Sequence, residues 1–558
     1  MSGRLSLLIA LAVGSAWAQP TISPGGVVNA AGMTDGTLPN SGIAQGSILA
    51  IVGTGLGPAE AVRAAAASLS NELGGTSVRV TAQGNTVTVP VLYASATRVA
   101  ALLPSATPTG SATVTVSFNG QTSAASSFQV VQAAFGIFTR SGSGGGPAWT
   151  AQAATPMPGP YNSLTTSGKP GGVYTITGTG LGALAGDQPT TRNLPVDVTV
   201  LIGDKTARVI HKSRPAPGLD QISFVVPSDA QEGCYLPLTV RTAGGVSNFT
   251  SMAISSSSAR CAVPGSFTAA DLDRLASGGS LNVGVVTLGR SRLQITVPIF
   301  GSLAGNNDTG DAAFLRYDAD TLNAARGVSE GFGIPPFGTC TVFPSRTTGS
   351  IDAVTTAPGL DAGAAINVKG PVATKPLTPS GPAGVYHGAL GGTPPNLPGL
   401  PGAGQSLPDF LVPGSYTVDN GGGGSAVGSF TASMQIAAPV TWSNQAAITN
   451  VPRTRPLTIT WTGGTANQYV AITGFSYPTA GSGAGFSCTE RASAGSFTVP
   501  ADVLSLLPVS ASTFGIATGA LNVTTWLQGD DQVRANVPGL DVFLLTYSDT
   551  TTKLVGFQ

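Results

Sequence analysis

The chain has 558 residues, with 26 Lys plus Arg balanced by 26 Asp plus Glu, and only 9% of it is charged, against about a quarter in an ordinary soluble domain. Charge this sparse and balanced excludes an electrostatic case for nucleic acid or an anionic membrane surface, while the length allows several domains, each with its own core. Glycine and proline are abundant, at 76 and 41, yet strand patterns recur throughout, so the composition describes turn-rich β structure rather than disorder.

Residues 1–18 read as a secretory signal: Arg4 is the basic end, Leu5–Val13 the apolar core, and Ala16-Trp17-Ala18 an Ala-x-Ala cleavage site that leaves Gln19 first. The apolar run is too short to span a bilayer, and no other stretch reaches ~18 apolar residues. Export is therefore expected, to the cell surface or beyond it, with no transmembrane segment in the mature chain.

The segments 20–132 and 171–262 repeat one another. Ile51-Val-Gly-Thr-Gly-Leu-Gly57 recurs 125 residues later as Ile176-Thr-Gly-Thr-Gly-Leu-Gly182, each after an apolar run. Leu73–Val80 matches Leu194–Ile202, and Leu103-Pro104 followed by Ala112–Phe118 matches Val226-Pro227 followed by Leu236–Val240. Alternation with period two marks half-buried strands, and two such sheets close over one core. The glycines do not make a nucleotide site. A dinucleotide fingerprint needs a helix directly behind it, but Pro58 follows the first copy and Gly186-Asp187-Gln188-Pro189 lies soon after the second. They read instead as tight turns at strand ends. Within the first module Ala61–Asn71 is alanine-rich, a short helix or a surface excursion. Residues 133–170 read as a connector, with Phe135-Gly-Ile-Phe138 packing back onto one module.

Residues 263–558 do not repeat the glycine motif and read as a β-rich, sandwich-like region with two possible sheets. Thr268-Ala-Ala-Asp271 opens a short helix over 269–276, and Pro500–Leu507 supplies one or two helical turns. Gly391–Gln405 is an exposed Pro/Gly-rich loop.

Candidates for chemistry are few. Four cysteines allow three connectivities. Cys234–Cys261 is favoured because it ties the end of the second module to its strand Tyr235–Val240, which leaves Cys340 with Cys488. Structural zinc is disfavoured, since there is no Cys-x-x-Cys and the histidines number two, His211 and His387. His211 sits in a basic cluster and His387 outside any acidic context; neither neighbours a nucleophile motif, although a carboxylate pair can be distant in sequence. Asp308, Asp311, Asp318 and Asp320 form the acidic cluster; their oxygens suit calcium, without the regular spacing of a dedicated loop, and a solvated turn is the stronger reading. Apart from calcium, no cofactor is expected. Asn248-Phe-Thr250, Asn307-Asp-Thr309 and Asn522-Val-Thr524 are glycosylation triplets expected by chance. Trp442, Trp461 and Trp526 either pack in a core or line a ligand surface; for Trp442 and Trp461, core is favoured.

Val27-Val-Asn-Ala-Ala31, Gly46–Gly57, Ala134-Phe-Gly-Ile-Phe138, Gly178–Gly182 and Ala216-Pro-Gly-Leu219 with Gln221–Pro227 together resemble the paired IPT/TIG-like β-sandwich module of secreted acidobacterial (Solibacter-type) proteins, over residues 27–255. That resemblance implies an all-β fold of tandem immunoglobulin-like sandwiches used as spacers, adhesion units or accessory binding domains, and it transfers no catalytic residue. Three functions follow: a non-catalytic structural or adhesion-like surface protein, a polysaccharide-binding accessory protein, or a hydrolase with its site in 263–558. The first is favoured, with surface polysaccharide or another surface protein as partner. Residues 20–262 are expected to be a rigid stalk and 263–558 to carry recognition.

Overall fold

The computed structural model describes residues 19–65, 69–153, 159–261, 267–297, 301–319, 321–322, 335–345, 357–393, 407–513, 515–527 and 536–558. The signal-peptide reading of 1–18, most of the loop at 391–405, and Asp320 lie outside them. The described chain is almost entirely β, with short helices at Ala269–Ala276 and Ala501–Leu504. The first carries the predicted capping box, Thr268 and Asp271 each satisfying the other's backbone amide.

In the first module, strands Thr21–Asn29, Ile48–Thr54, Arg98–Leu102, Val91–Ala94 and Val62–Arg63 form one sheet. The second runs Ile43–Ala44, Ser126–Val131, Gly110–Phe118, Thr76–Ala82, Glu72–Leu73, with Asn85–Val89 also on Thr76–Ala82. Alternation decides the faces: Val78 and Val80 lie opposite Val116 and Val114, and all four point into the core with Ile51, Val99 and Val130. The alanine-rich stretch is no helix in its described residues. Val62–Arg63 pairs with Val91–Ala94 as an edge strand, because no apolar stripe was present to hold a helix down.

The second module reproduces this pairing strand by strand. Val173–Thr179 pairs with Leu219–Val225 as Ile48–Thr54 pairs with Arg98–Leu102. Thr199–Ile202 pairs with Gly233–Thr242 as Thr76–Ala82 pairs with Gly110–Phe118. Even the parallel contact of Ile43 with Val130 returns as Gly168 beside Ile254. The consecutive strands Asn85–Val89 and Val91–Ala94 of the first module, which pair in different sheets, correspond to one long bulged strand, Lys205–Ala216, which pairs with both Thr199–Ile202 and Leu219–Val225. The stretch 133–170 is not a mere connector. Gly136–Ile137 and Thr150–Gln152 pair with Val173–Thr179, and Phe135, Ile137 and Ala148 lie in this module's core.

The C-terminal region is organised on a 13-stranded sheet. Its spine is the hairpin Leu281–Val297 and Gly301–Tyr317, with Val542–Phe557 parallel beside the first strand. Two cores share it. One gathers Val286, Phe314, Ile366, Tyr416, Phe430 and Phe543; the other gathers Val451, Trp461, Ile472, Phe486, Val523 and Phe557. Val542–Phe557 contributes Leu545 and Tyr547 to the first and Val555 and Phe557 to the second.

The region also folds back on the N-terminal half. Leu38 is buried within the second of these cores, with Phe249 packed against it. Ser482 donates its amide to Thr37 Oγ1 and its hydroxyl to Asp35, both at 2.9 Å. Arg241 pairs with Asp502, and Gln231 donates to the Phe337 carbonyl at 2.8 Å.

Candidate functional site

The cysteines pair as the sequence suggested. Cys234–Cys261 closes 27 residues and Cys340–Cys488 closes 148. The first lies in a core that joins Ala253 and Leu164 to Leu272, Leu281 and Val542, so the end of the second module is welded to the C-terminal region. The second staples the edge strand Thr339–Ser345 directly across to Gly483–Arg491.

The acidic cluster is taken apart by the strand that carries it. Asp308 is fully buried and committed to Arg290, whose Nε and Nη2 reach its two oxygens at 2.7 Å each. The amides of Phe410 and Leu411 add bonds of 2.7 and 2.8 Å. Burial pushes the Asp308 carboxyl up, but the Arg290 guanidinium and these amides outweigh it and hold the acid below its ordinary value. Asp311 lies farther along the same strand, at ~3.3 Å per residue, and Asp318 just past its end at Tyr317. Asp311 meets His387 Nδ1 at 2.7 Å, and Asp318 caps its own turn through Thr321. Among the described residues no group of three or more His, Cys, Asp or Glu could hold a metal ion. His387, read as lacking an acidic neighbour, has Asp311 opposite it on the adjacent strand.

Arg290 also stands across from Asp549 on the parallel strand, where Arg292 and the Tyr547 hydroxyl engage that carboxylate. Burial raises the Asp549 carboxyl and the Tyr547 phenol above their ordinary values. Each acid of this network has a guanidinium partner, the arrangement of a buried structural network rather than of a free acid and base.

The three candidate tryptophans are core residues. Trp442, Trp461 and Trp526 are 6, 3 and 4% exposed. Trp442 donates to Asn444 and Trp461 to the Ala492 carbonyl, the partners that buried indoles require. Of the glycosylation triplets, Asn248 is engaged in the fold: it accepts from Ile137 N and donates to the carbonyls of Ile137 and Gly144.

The second glycine motif is the joint between the modules. Asp220 Oδ2 accepts the amides of Gly180 and Leu181 at 2.8 Å each, and Arg214 binds both Asp220 and the Gly182 carbonyl. Arg214 and Asp220 are 1% and 0% exposed. From the first module, Asn29 donates to the carbonyls of Ala134 and Thr179. Ile48 donates its amide to Thr179 Oγ1, and Ser105 binds Asp187 and receives Leu184 N. Gly180 has φ +116°, and a Cβ there would stand 2.1 Å from the Ala134 carbonyl oxygen; a Cβ on Gly46 would strike Arg214 and Ser105. Glycine is needed because two backbones meet.

An exposed aromatic pair went unnoticed in the sequence. Trp149 and Tyr161 are 44% and 41% exposed, with ring centroids 6.1 Å apart, and Phe138 lies edge-on to the indole. Both sit in the stretch read as a connector. Ala148 and Thr150 are buried, so Trp149 between them faces out, but the strand is too short for the sequence to show that alternation.

No family model and no curated protein matches this chain. Among solved structures it is similar to a tetra-tandem repeat in the extending region of a large adhesion protein, at 16% identity over 93% of this chain and 97% of that one, with a TM-score of 0.12. It is also similar to FdeC, an Escherichia coli adhesin, at 14% identity over 75% and 96%, with a TM-score of 0.14. Domains 5–6 of the S-layer protein SbsC match at 12% identity over 43% and 100%, with a TM-score of 0.16. At TM-scores this low the likenesses carry no weight for function.

Proposed function

We propose that the chain is a non-catalytic structural, adhesion-like protein of the cell exterior, exported through residues 1–18 and built on a paired IPT/TIG-like sandwich. The observation that carries this reading is the joint. The sequence element most suggestive of ligand binding, Gly178–Gly182, is occupied by the chain itself, through Asp220, Arg214 and Asn29. Buried charge fixed at a module boundary gives a set geometry rather than an open cleft. Two disulfides among the described residues suit an oxidising exterior.

Protease shaving of intact cells tests the location and should release fragments of this chain, beginning at Gln19 in the mature form. Incubation with chromogenic glycoside and ester substrates tests the rest. Turnover that disappears in Asp549→Asn or His387→Ala would replace the structural reading with a hydrolase; a baseline shared by both variants and the parent supports it.

A further inference from the structure

The outer face of the second module's sheet has an order that the fold does not require. Strand pairing lays its outward side chains in two rows. In one, Trp149 is followed by Thr177, whose amide donates to the Trp149 carbonyl at 3.0 Å, then by Gln221 and, at the covered end of the row, the buried Ser213. In the other, Tyr161 is followed by Ala151 and Thr175, both buried beneath their neighbours, then by Ser223 and His211. The intervening Tyr174, Ile176, Ile222 and Phe224 point the other way, into the core. Neither row contains a carboxylate, an ammonium or a guanidinium group.

We propose that this face binds the neutral sugar rings of a polysaccharide, with the Trp149 indole as the stacking platform, Tyr161 tilted 59° to it as a side wall, and Thr177, Gln221 and Ser223 as the hydrogen-bonding run beside it. A pyranose with equatorial hydroxyls offers flat C–H faces and a rim of hydroxyls, so it calls for an aromatic surface beside uncharged donors and acceptors. An anionic polymer would call for cations, and a membrane surface for basic residues around a larger apolar area. Thr177, Gln221 and Ser223 are half-exposed, and Thr175 already holds Ser223 at 2.9 Å, which fixes that hydroxyl in place.

Packing does not explain the platform. Val27 faces Ile51 in the first module as Thr150 faces Ile176 in the second, so the position of Trp149 corresponds to Gly26. The same sheet is thus built without an aromatic there. Trp442, Trp461 and Trp526 are all buried, which makes an indole left 44% in water a departure from the chain's own habit.

The proposal goes beyond the structural reading, and its failure would leave that reading standing. The test is affinity electrophoresis of the full chain in gels containing hydroxyethylcellulose, xylan or laminarin, with Trp149→Ala, Tyr161→Ala and Trp149→Phe run beside the parent. Retardation of the parent by at least one polysaccharide is expected, weakened about tenfold or more in Trp149→Ala and partly restored in Trp149→Phe. It should be nearly indifferent to salt between ~0.05 and ~0.5 M, since no charge takes part. Near-UV circular dichroism confirms that the variants fold. Mobility unchanged in all three matrices, or equal retardation of the parent and Trp149→Ala, overturns the proposal. So does a dimer in sedimentation that Trp149→Ala abolishes, which would make the face a contact between two copies of the chain.

Discussion

Asp308 shows how one residue's surroundings decide its role. An aspartate beside Asn306, Asn307 and Asp311 suits a cation; the same aspartate, fully buried against Arg290 and two amides, is an internal counter-ion. Its folded-state carboxyl lies below its ordinary value, so ionisation is favoured in the native protein. The stability it contributes is fully present above the unfolded pKa of about 3.9 and is lost as pH falls through the lower folded value. Chemical denaturation should therefore show stability flat in this respect from neutral pH to about 5, then falling below about 4. Asp308→Asn should remove part of that acid dependence and cost about 3–5 kcal/mol at neutral pH, because Arg290 is left buried without its charge partner; an unchanged midpoint would reject the assignment. Neither this pair nor His387 with Asp311 was legible in the sequence. Arg290 and Asp308 lie 18 residues apart, and Asp311 and His387 lie 76 apart; only strand register brings each pair together. The cysteines were legible because pairing four of them leaves few alternatives.

Among the elements, Thr339–Ser345 is the one most dependent on a covalent tie. It ends the large sheet, pairs there with Gly483–Arg491, and is joined to it by Cys340–Cys488. A bridge closing 148 residues restricts the unfolded chain by about 5 kcal/mol in the chain-entropy model, against about 3.5 for the bridge closing 27. Replacing both Cys340 and Cys488 by serine should destabilise this core by roughly 2–5 kcal/mol. Trp442 and Trp461 share the core and report its unfolding in fluorescence against urea; equal midpoints for variant and parent would show that the strand holds by pairing alone. The strands of the two sandwiches were readable from alternation, and their equivalence from the offset of 125 between the glycine motifs. The role of 133–170 was not. Gly136–Ile137 and Thr150–Gln152 are two and three residues long, too short for period two to stand out from loop composition.

The whole molecule is a closed arrangement, not a stalk with a separate head. The first module meets the second through Asn29, Ile48 and Ser105, with Gly46 packed against Arg214. The second meets the C-terminal region through the Cys234–Cys261 core and the pair of Arg241 with Asp502. That region returns to the first module through Ser482 and the buried Leu38. Sequence alternation marks which face of a strand is apolar, but not which neighbouring unit covers it, so this return was not foreseeable from Leu38 in a turn-rich stretch. A ring of three contacts keeps its shape when one contact fails, because the other two still fix the geometry. Leu38→Asp and Asn29→Ala should therefore each leave the radius of gyration from small-angle scattering close to that of the parent, although each lowers stability by a few kcal/mol. The double variant should expand clearly, a non-additive outcome for sites that share no direct contact. Expansion in Leu38→Asp alone would mean that the joint at Asn29 is a hinge, and no expansion in the double variant would mean that the remaining interface holds the three units together without either contact.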